Sequence, residues 1–375
     1  MVDLAKAEGG STLSGIYKSL ERLNTPPRAH LGASILGRPC ERELWYSFRW
    51  GDESKHSGRL LRLFRRGHDE EGPLVADLRA AGVNVIDADP RTGQQFQYSI
   101  LGGHVGGSLD GVGLGFAEAP DEWHLLEIKT SNLKSYKAME KGGVRKAKPE
   151  HYSQMQLYMH WSGNDGGRRL EHAIYIVVCK DDDQIYLERI PYDQEEAERL
   201  EARAADVVNS LVPLAKISED PTWFQCKFCD FFTVCHSNKL PPVSCRTCTH
   251  VTPLVDGDGV WDCSYHNKAL SVDEQRAGCD SHVYIPDLVT IAEYTGGNED
   301  ENYAGYKMSD GREFKNGGTD ANSYASESLR NIDPSLIGDD TVEKIRAEFG
   351  ALVLPPLKTG DYPPGSDFFN DDIPF

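Results

Sequence analysis

The sequence predicts an α/β fold: a central mixed β-sheet flanked by helices. Three observations predict it. Residues Trp123 to Thr130 alternate apolar and polar side chains in the way of a half-buried strand. Further strand-like segments lie at 83–115 and in a hairpin pattern, 172–179 and 184–190, around Asp181-Asp182-Asp183. Helical stretches at 58–81, 131–141, 150–161 and 193–210 are interleaved with them, and strands interleaved with helices imply a sheet covered by helices.

The 375 residues suffice for one large domain or two to three smaller ones. No apolar run reaches membrane-spanning length, and the start, MVDLAKAEGGST, lacks the apolar core of a secretion signal. The expected compartment is the cytoplasm, with no membrane partner, so the nine cysteines read as metal ligands rather than disulfides. A net charge of −19 argues against a general polyanion binder. The charge is uneven, however. Residues 283–375 hold 18 acidic and 7 basic residues, whereas 131–150 hold 6 basic and 2 acidic. That basic segment, with Lys134, Lys137, Lys141, Arg145, Lys146 and Lys148, either grips DNA locally or is a solvated helix face.

Residues 11–36 read as a helix with a break at Pro26-Pro27. Cys40 stands near the start of an amphipathic helix that buries Leu44 and Trp45. The helix at 58–81 carries Leu61, Phe64, Leu74, Val75 and Leu78 as its apolar face, with His68 and Glu71 one turn apart. Gly107-Ser108-Leu109-Asp110-Gly111 reads as a strand ending in a tight turn. In the next strand Glu127 and Lys129 are two apart and share a face. Asp110 and Glu127 together suit a hard divalent cation such as magnesium, and Lys129 suits positioning a water or stabilising phosphate charge. In the helix at 150–161, Gln154 and Tyr158 are four apart and share one face.

Two cysteine groups follow. Cys226, Cys229 and Cys235 have C-x2-C-x5-C spacing, one thiolate short of a four-thiolate iron–sulfur or zinc site. Cys245 and Cys248 form a C-x2-C knuckle, followed by the C-x2-H pairs Cys263/His266 and Cys279/His282. A Zn2+ site on Cys245, Cys248, Cys263 and Cys279 is expected, with His266 or His282 as substitutes for either of the last two. Tyr306 to Phe314 reads as a hairpin around Asp310-Gly311, and a helix is expected near 340–349. From Pro355 the chain is Pro-, Gly- and Asp-rich and reads as a disordered acidic tail. It finishes in Asp371-Asp372-Ile373-Pro374-Phe375.

Asp110 followed by Leu126-Glu127-Ile128-Lys129 resembles the motif of the PD-(D/E)XK nuclease superfamily, with its restriction-endonuclease-like core. Gln154-x3-Tyr158 is similar to the element that follows the lysine strand in RecB-like members. The resemblance covers roughly residues 34–236, with motifs in the family's order. It implies a metal-dependent DNA exonuclease of recombination or repair, in a bacterium or its phage. Asp110, Glu127 and His68 would hold Mg2+ or Mn2+, with the Ile128 carbonyl completing the shell and Glu71, one helical turn after His68, as a secondary candidate. Lys129 would position water, and Gln154 and Tyr158 would orient the strand. The iron–sulfur branch, which includes the CRISPR-adaptation and AddAB-type nucleases, places one cysteine before the core and three after it. It implies that Cys40 joins Cys226, Cys229 and Cys235 in a [4Fe-4S] cluster. The tip resembles that of bacterial single-stranded DNA-binding protein, implying capture of tip-binding repair, replication or recombination proteins. The expected domains are a nuclease domain at 1–240, a zinc module at 241–285, an accessory region at 286–354 and the tail at 355–375. The competing readings are a structure-specific DNA endonuclease and a non-catalytic DNA-end adaptor.

Overall fold

The computed structural model describes residues 11–52, 55–320 and 322–339, with isolated positions up to 348. Most of the helix expected near 340–349, and the whole tail from 355, lie outside the described residues. The chain divides into two compact units, one of residues up to 232 with 251–272, the other of 233–250 with residues from 273 onward.

The first unit opens with α1 (Thr12–Glu21), which ends well before the proline pair, so the helix expected over 11–36 is less than half its expected length. The two prolines lack N–H donors and bias the residue before each to extended backbone, and the next elements are β1 (Leu31–Gly32) and a single 3-10 turn. Then come α2 (Glu41–Phe48) and α3 (Gly58–Ala80), whose N-cap Ser57 accepts from Leu60 N. Gly58 is where α1 and α3 meet: a Cβ there would lie 2.2 Å from the Tyr17 carbonyl oxygen. The strands β2 (Asn84–Ile86), β3 (Gln97–Ile100), β4 (Val105–Ser108), β5 (Gly111–Leu114) and β6 (Trp123–Ser131) follow. After them come α4 (Leu133–Ala147), α5 (Pro149–Trp161), β7 (His172–Cys179), β8 (Ile185–Pro191) and α6 (Gln194–Asn209). These match the expected strands and helices, except that α4 runs beyond 141 through a kink at Gly143 (φ 71°). There Val144 N donates to the Glu188 carboxylate at 2.8 Å.

The central sheet has the order β2-β5-β6-β7-β8. Only β6 and β7 run parallel, with Glu127 opposite Tyr175, so the sheet is mixed as expected. A smaller sheet has the order β1-β4-β3. Period-two alternation decides what each face of β6 meets. Leu126 and Ile128 join Ile174, Ile176 and Val178 of β7 with Leu74 and Val75 of α3 in one apolar cluster. Glu127 and Lys129 point to the opposite face, where α5 lies. That helix is buried on almost every side from Tyr152 to Trp161, which is why it shows no polar stripe.

The strands β9 (Val251–Pro253), β10 (Trp261–Cys263) and β11 (Lys268–Leu270) form a meander that belongs to this first unit, not to a separate module at 241–285. The physical reason is Trp261. It is fully buried against Phe48 and His104, with the Arg49 guanidinium 5.0 Å over its ring.

The second unit holds a four-stranded sheet, β12 (Glu293–Asn298), β13 (Tyr303–Lys307), β14 (Glu313–Gly317) and β15 (Ser323–Tyr324). β13 and β14 are the hairpin expected around Asp310-Gly311. Its core stacks Tyr306 on Phe314, with Tyr324 edge-on to Phe314. Asn316, fully buried, accepts from Tyr284 N at 2.7 Å and donates to Ser326 Oγ at 2.9 Å.

Candidate active site

The sheet-to-sheet corner between β4 and β5 fixes Asp110. Its Oδ2 accepts a 2.7 Å hydrogen bond from Ile128 N, which ties the corner to the middle of β6. Glu127, one residue before, is fully buried. Its carboxylate pairs with Lys129 Nζ, and neither oxygen accepts a well-formed hydrogen bond from any other described group. Lys129 Nζ also lies 3.7 Å from Asp110 Oδ2 and 3.2 Å from the Ile128 carbonyl oxygen. The lysine ammonium is therefore the one cation on which Asp110, Glu127 and the Ile128 carbonyl all converge. Those are three of the four groups expected to hold a divalent ion.

Electrostatics fit the same picture. Burial, then the charges of Asp110 and Glu71, push the Glu127 carboxyl upward against the pull of Lys129. Burial pulls the Lys129 ammonium down, but Glu127 and Asp110 outweigh it and hold it above its ordinary range. Among the described residues no group of three His, Cys, Asp or Glu side chains is arranged to hold a metal ion.

The structure separates the expected residues. Burial, then the Asp110 charge, raises the Glu71 carboxyl. The His68 side chain is 79% exposed and meets Glu71 at 3.2 Å. His68 was expected as the helix-borne ligand because a histidine at that place matches the family pattern. On α3 the carboxylate one turn later is the group turned toward β6. Gln154 and Tyr158 are brought together as expected, Gln154 Nε2 donating to Tyr158 Oη at 3.4 Å, both buried. Burial and then Glu127 raise the Tyr158 phenol.

Two neighbours escaped the sequence reading. His151 shares a 2.6 Å hydrogen bond with the Tyr175 hydroxyl. Burial, then Lys129 and Lys148, push its imidazole down to about 3, so it is neutral. The signal for His151 was present: residues 151, 154 and 158 lie at i, i+3 and i+7 on one helix face. Tyr175 had no local signal, because its place opposite Glu127 depends on the β6–β7 register.

Gly107 in β4 makes room for Tyr158. A Cβ there would lie 2.2 Å from the Tyr158 hydroxyl oxygen. Gly107→Ala is expected to push the phenol off the site, lowering thermal stability by about 1–3 kcal/mol and reducing any activity that depends on Tyr158. Thermal melts of Gly107→Ala and of the double variant with Tyr158→Phe check this. Equal melting of wild type and Gly107→Ala rejects the clash, and recovery in the double variant supports it.

Of the expected DNA-binding residues on α4, Lys134, Lys137, Lys141 and Lys146 are exposed, while Lys148 is half-buried at the α4–α5 junction. Arg145 is exposed as well, pairs with Asp193 at 3.3 Å and lies 5.0 Å over the Tyr152 ring.

The cysteine groups are placed as follows. Cys40 is the N-cap of α2, and that helix is tied to the segment 214–231. Arg42 N and Nε donate to the carbonyls of Ala215 and Leu214, and Tyr46 stacks on Phe231 at 5.7 Å. Burial raises the Cys226 and Cys229 thiols; the charge of Cys40 adds to both, after that of Glu43 at Cys229. Cys235 is half-buried. Cys245, Cys248 and Cys263 are buried and Cys279 is exposed. The ring nitrogens of His282 meet Ser326 Oγ at 2.7 Å and Thr247 Oγ1 at 3.2 Å. His266 is exposed.

No helix among the described residues is long and apolar enough to cross a membrane. No protein-family model matches the chain, and no curated protein matches it. Among solved structures, the chain is similar to the alkaline exonuclease LHK-Exo of Laribacter hongkongensis, at 19% identity over 52% of this chain and 90% of that one, with a TM-score of 0.33. The same enzyme in complex with dAMP matches at 20% identity, 48% and 86% coverage and a TM-score of 0.33. SSO0001 matches at 17% identity, 60% and 96% coverage and a TM-score of 0.37. Likenesses at this level touch parts of a fold and assign no activity.

Proposed function

We propose that the protein is a metal-dependent deoxyribonuclease, acting as an exonuclease in recombination or repair of bacterial or phage DNA. One observation carries the reading: the buried Glu127 carboxylate and Asp110, on adjacent strands, converge with the Ile128 carbonyl on a single cationic position. Asp110, Glu127, the Ile128 carbonyl and Glu71, with His68 beside it, would hold Mg2+ or Mn2+. When bound, the ion supplies Lewis-acid stabilisation of the phosphoryl oxygen and lowers the pKa of a coordinated water. Lys129, released from between the carboxylates, holds the attacking water and meets charge growing on the phosphate. Gln154 and Tyr158 orient the strand from α5, and Tyr175 with neutral His151 packs beside them without adding charge. A gel assay with 5′- and 3′-labelled single- and double-stranded DNA, with and without magnesium, tests the reading. Ladders shortening from one labelled end support an exonuclease, and discrete internal products point to the endonuclease. Binding without cleavage under every metal leaves the adaptor reading.

The thiols extend the proposal. Cys40, Cys226, Cys229 and Cys235 would carry a [4Fe-4S] cluster, a reading supported by the C-x2-C-x5-C spacing and the cysteine that precedes the core. Cys245, Cys248, Cys263 and Cys279 would bind Zn2+. The tail, whose residues lie outside the described ones, would recruit tip-binding repair proteins through Asp371, Asp372, Ile373, Pro374 and Phe375. Deleting 367–375 is expected to abolish capture of such a protein while leaving cleavage of bare DNA unchanged. Faster cleavage after deletion would mean instead that the tail competes with DNA.

A further inference from the structure

The half of α3 that precedes the site carries a feature the proposed chemistry does not use. Arg59, Arg62, Arg65 and Arg66 are all exposed, and Arg59, Arg62 and Arg66 fall at i, i+3 and i+7 on one face. Among the described residues Arg59, Arg62 and Arg65 have no carboxylate or hydrogen-bond partner, in a chain of 59 acidic and 40 basic residues. An acidic protein that leaves contiguous arginines unpaired has positive charge available for an external anion. Leu63, 46% exposed, lies on the same flank. Phe64, 44% exposed and in a T-shaped contact with His56 at 5.2 Å between centroids, lies on the opposite flank of the helix.

The strip leads to the site. Arg66 donates to the Lys180 carbonyl at 3.3 Å, and Lys180 N donates at 2.8 Å to the carbonyl of Ser131, two residues beyond Lys129. A Cβ on Gly67 would lie 3.9 Å from Thr130 Oγ1, so the next helical position already faces the end of β6. From Arg59 to Arg66 the helix rises about 10 Å, and phosphates along one strand of B-DNA advance about 3.4 Å each. Three arginines over that length match about three successive phosphates.

We propose that this face of α3 is the path of a single DNA strand leading to the Asp110–Glu127–Lys129 site. Arg59, Arg62 and Arg66 meet its phosphates. The assignment deepens the nuclease reading and rests on it for the direction of the path. It also places the main phosphate contacts on α3 rather than on α4.

The test measures binding of a fluorescein-labelled oligothymidine by the full chain, without divalent metal, as a function of salt. The variants are Arg59→Gln/Arg62→Gln/Arg66→Gln, Phe64→Ala, and Lys134→Gln/Lys137→Gln/Lys141→Gln as comparator, each checked by circular dichroism. The arginine triple variant is expected to bind at least about tenfold more weakly at low salt and to lose about 2 from the slope of log K against log salt, about 0.7 per phosphate. Phe64→Ala, on the opposite flank of α3, is the control and is expected to keep wild-type affinity and slope. An unchanged slope and affinity in the arginine variant, with wild type still cutting DNA, overturns the path and leaves the nuclease reading intact. Loss of slope in the lysine comparator alone does the same and moves the contacts to α4. Greater weakening in Phe64→Ala than in the arginine variant also overturns it, by moving the strand to the other flank of α3. Wild type that binds with the expected arginine dependence yet cuts nothing under magnesium or manganese sinks the nuclease reading while strand binding stands.

Discussion

Lys129→Ala and Asp110→Ala are each expected to lower metal-dependent DNA cleavage by about a thousandfold or more, which corresponds to about 4 kcal/mol of lost transition-state stabilisation. The two losses have different causes. Removing Lys129 takes away the only cation among the described residues that lies within 4 Å of both carboxylates. Glu127, already pushed upward by burial, then takes up a proton, which limits the cost to folding. Removing Asp110 deletes one carboxylate of the proposed ion site and also leaves Ile128 N without its 2.7 Å acceptor. That unmet N–H costs about 1–3 kcal/mol of stability. Lys129→Ala is therefore expected to retain more stability than Asp110→Ala by comparison of melting curves. On α3, Glu71→Gln is expected to impair cleavage more than His68→Gln, because Glu71 is the residue coupled to Asp110. Rates are read by quenched-fluorescence cleavage at saturating magnesium. Wild-type rates for both Lys129→Ala and Asp110→Ala would remove the site from consideration.

Cys40→Ser is expected to give the second large effect. Cys40 lies 186 positions before Cys226, and a thiolate-bound cluster closing that span restricts the unfolded chain by about 5 kcal/mol. Anaerobically purified wild type is expected to be brown and to contain both iron and zinc by elemental analysis. Cys40→Ser is expected to be pale, depleted in iron but not in zinc, and to melt well below wild type. Cys179→Ser is the control, since that thiol sits buried at the end of β7. Colourless wild type with two zinc ions would reject the iron–sulfur assignment yet keep the thiolate staple. Colourless protein free of both metals would reject both cysteine sites.

Much of this organisation is written locally. The alternation of β6, the four-residue spacing of Gln154 and Tyr158, and the cysteine spacings are short-range patterns, and they led to a mixed sheet flanked by helices, as found. The hairpins β7–β8 and β13–β14 were legible for the same reason, since turn residues separate two alternating runs. The truncated α1 and the meander at 251–270 were not legible. Their extent is set by distant partners: the α1–α3 approach at Gly58, and the burial of Trp261 against Arg49, Phe48 and His104. The choice between His68 and Glu71 was also beyond a motif, because both lie within one turn of α3 and only its packing angle decides which faces β6. The sequence by itself determined which side chains carry the candidate chemistry: Asp110, Glu127 and Lys129 in fixed order on neighbouring strands. Only the tertiary structure decided that Tyr175 and His151 belong near them. Strand register and helix packing bring together residues dozens of positions apart, and periodicity along the chain carries no record of those pairings.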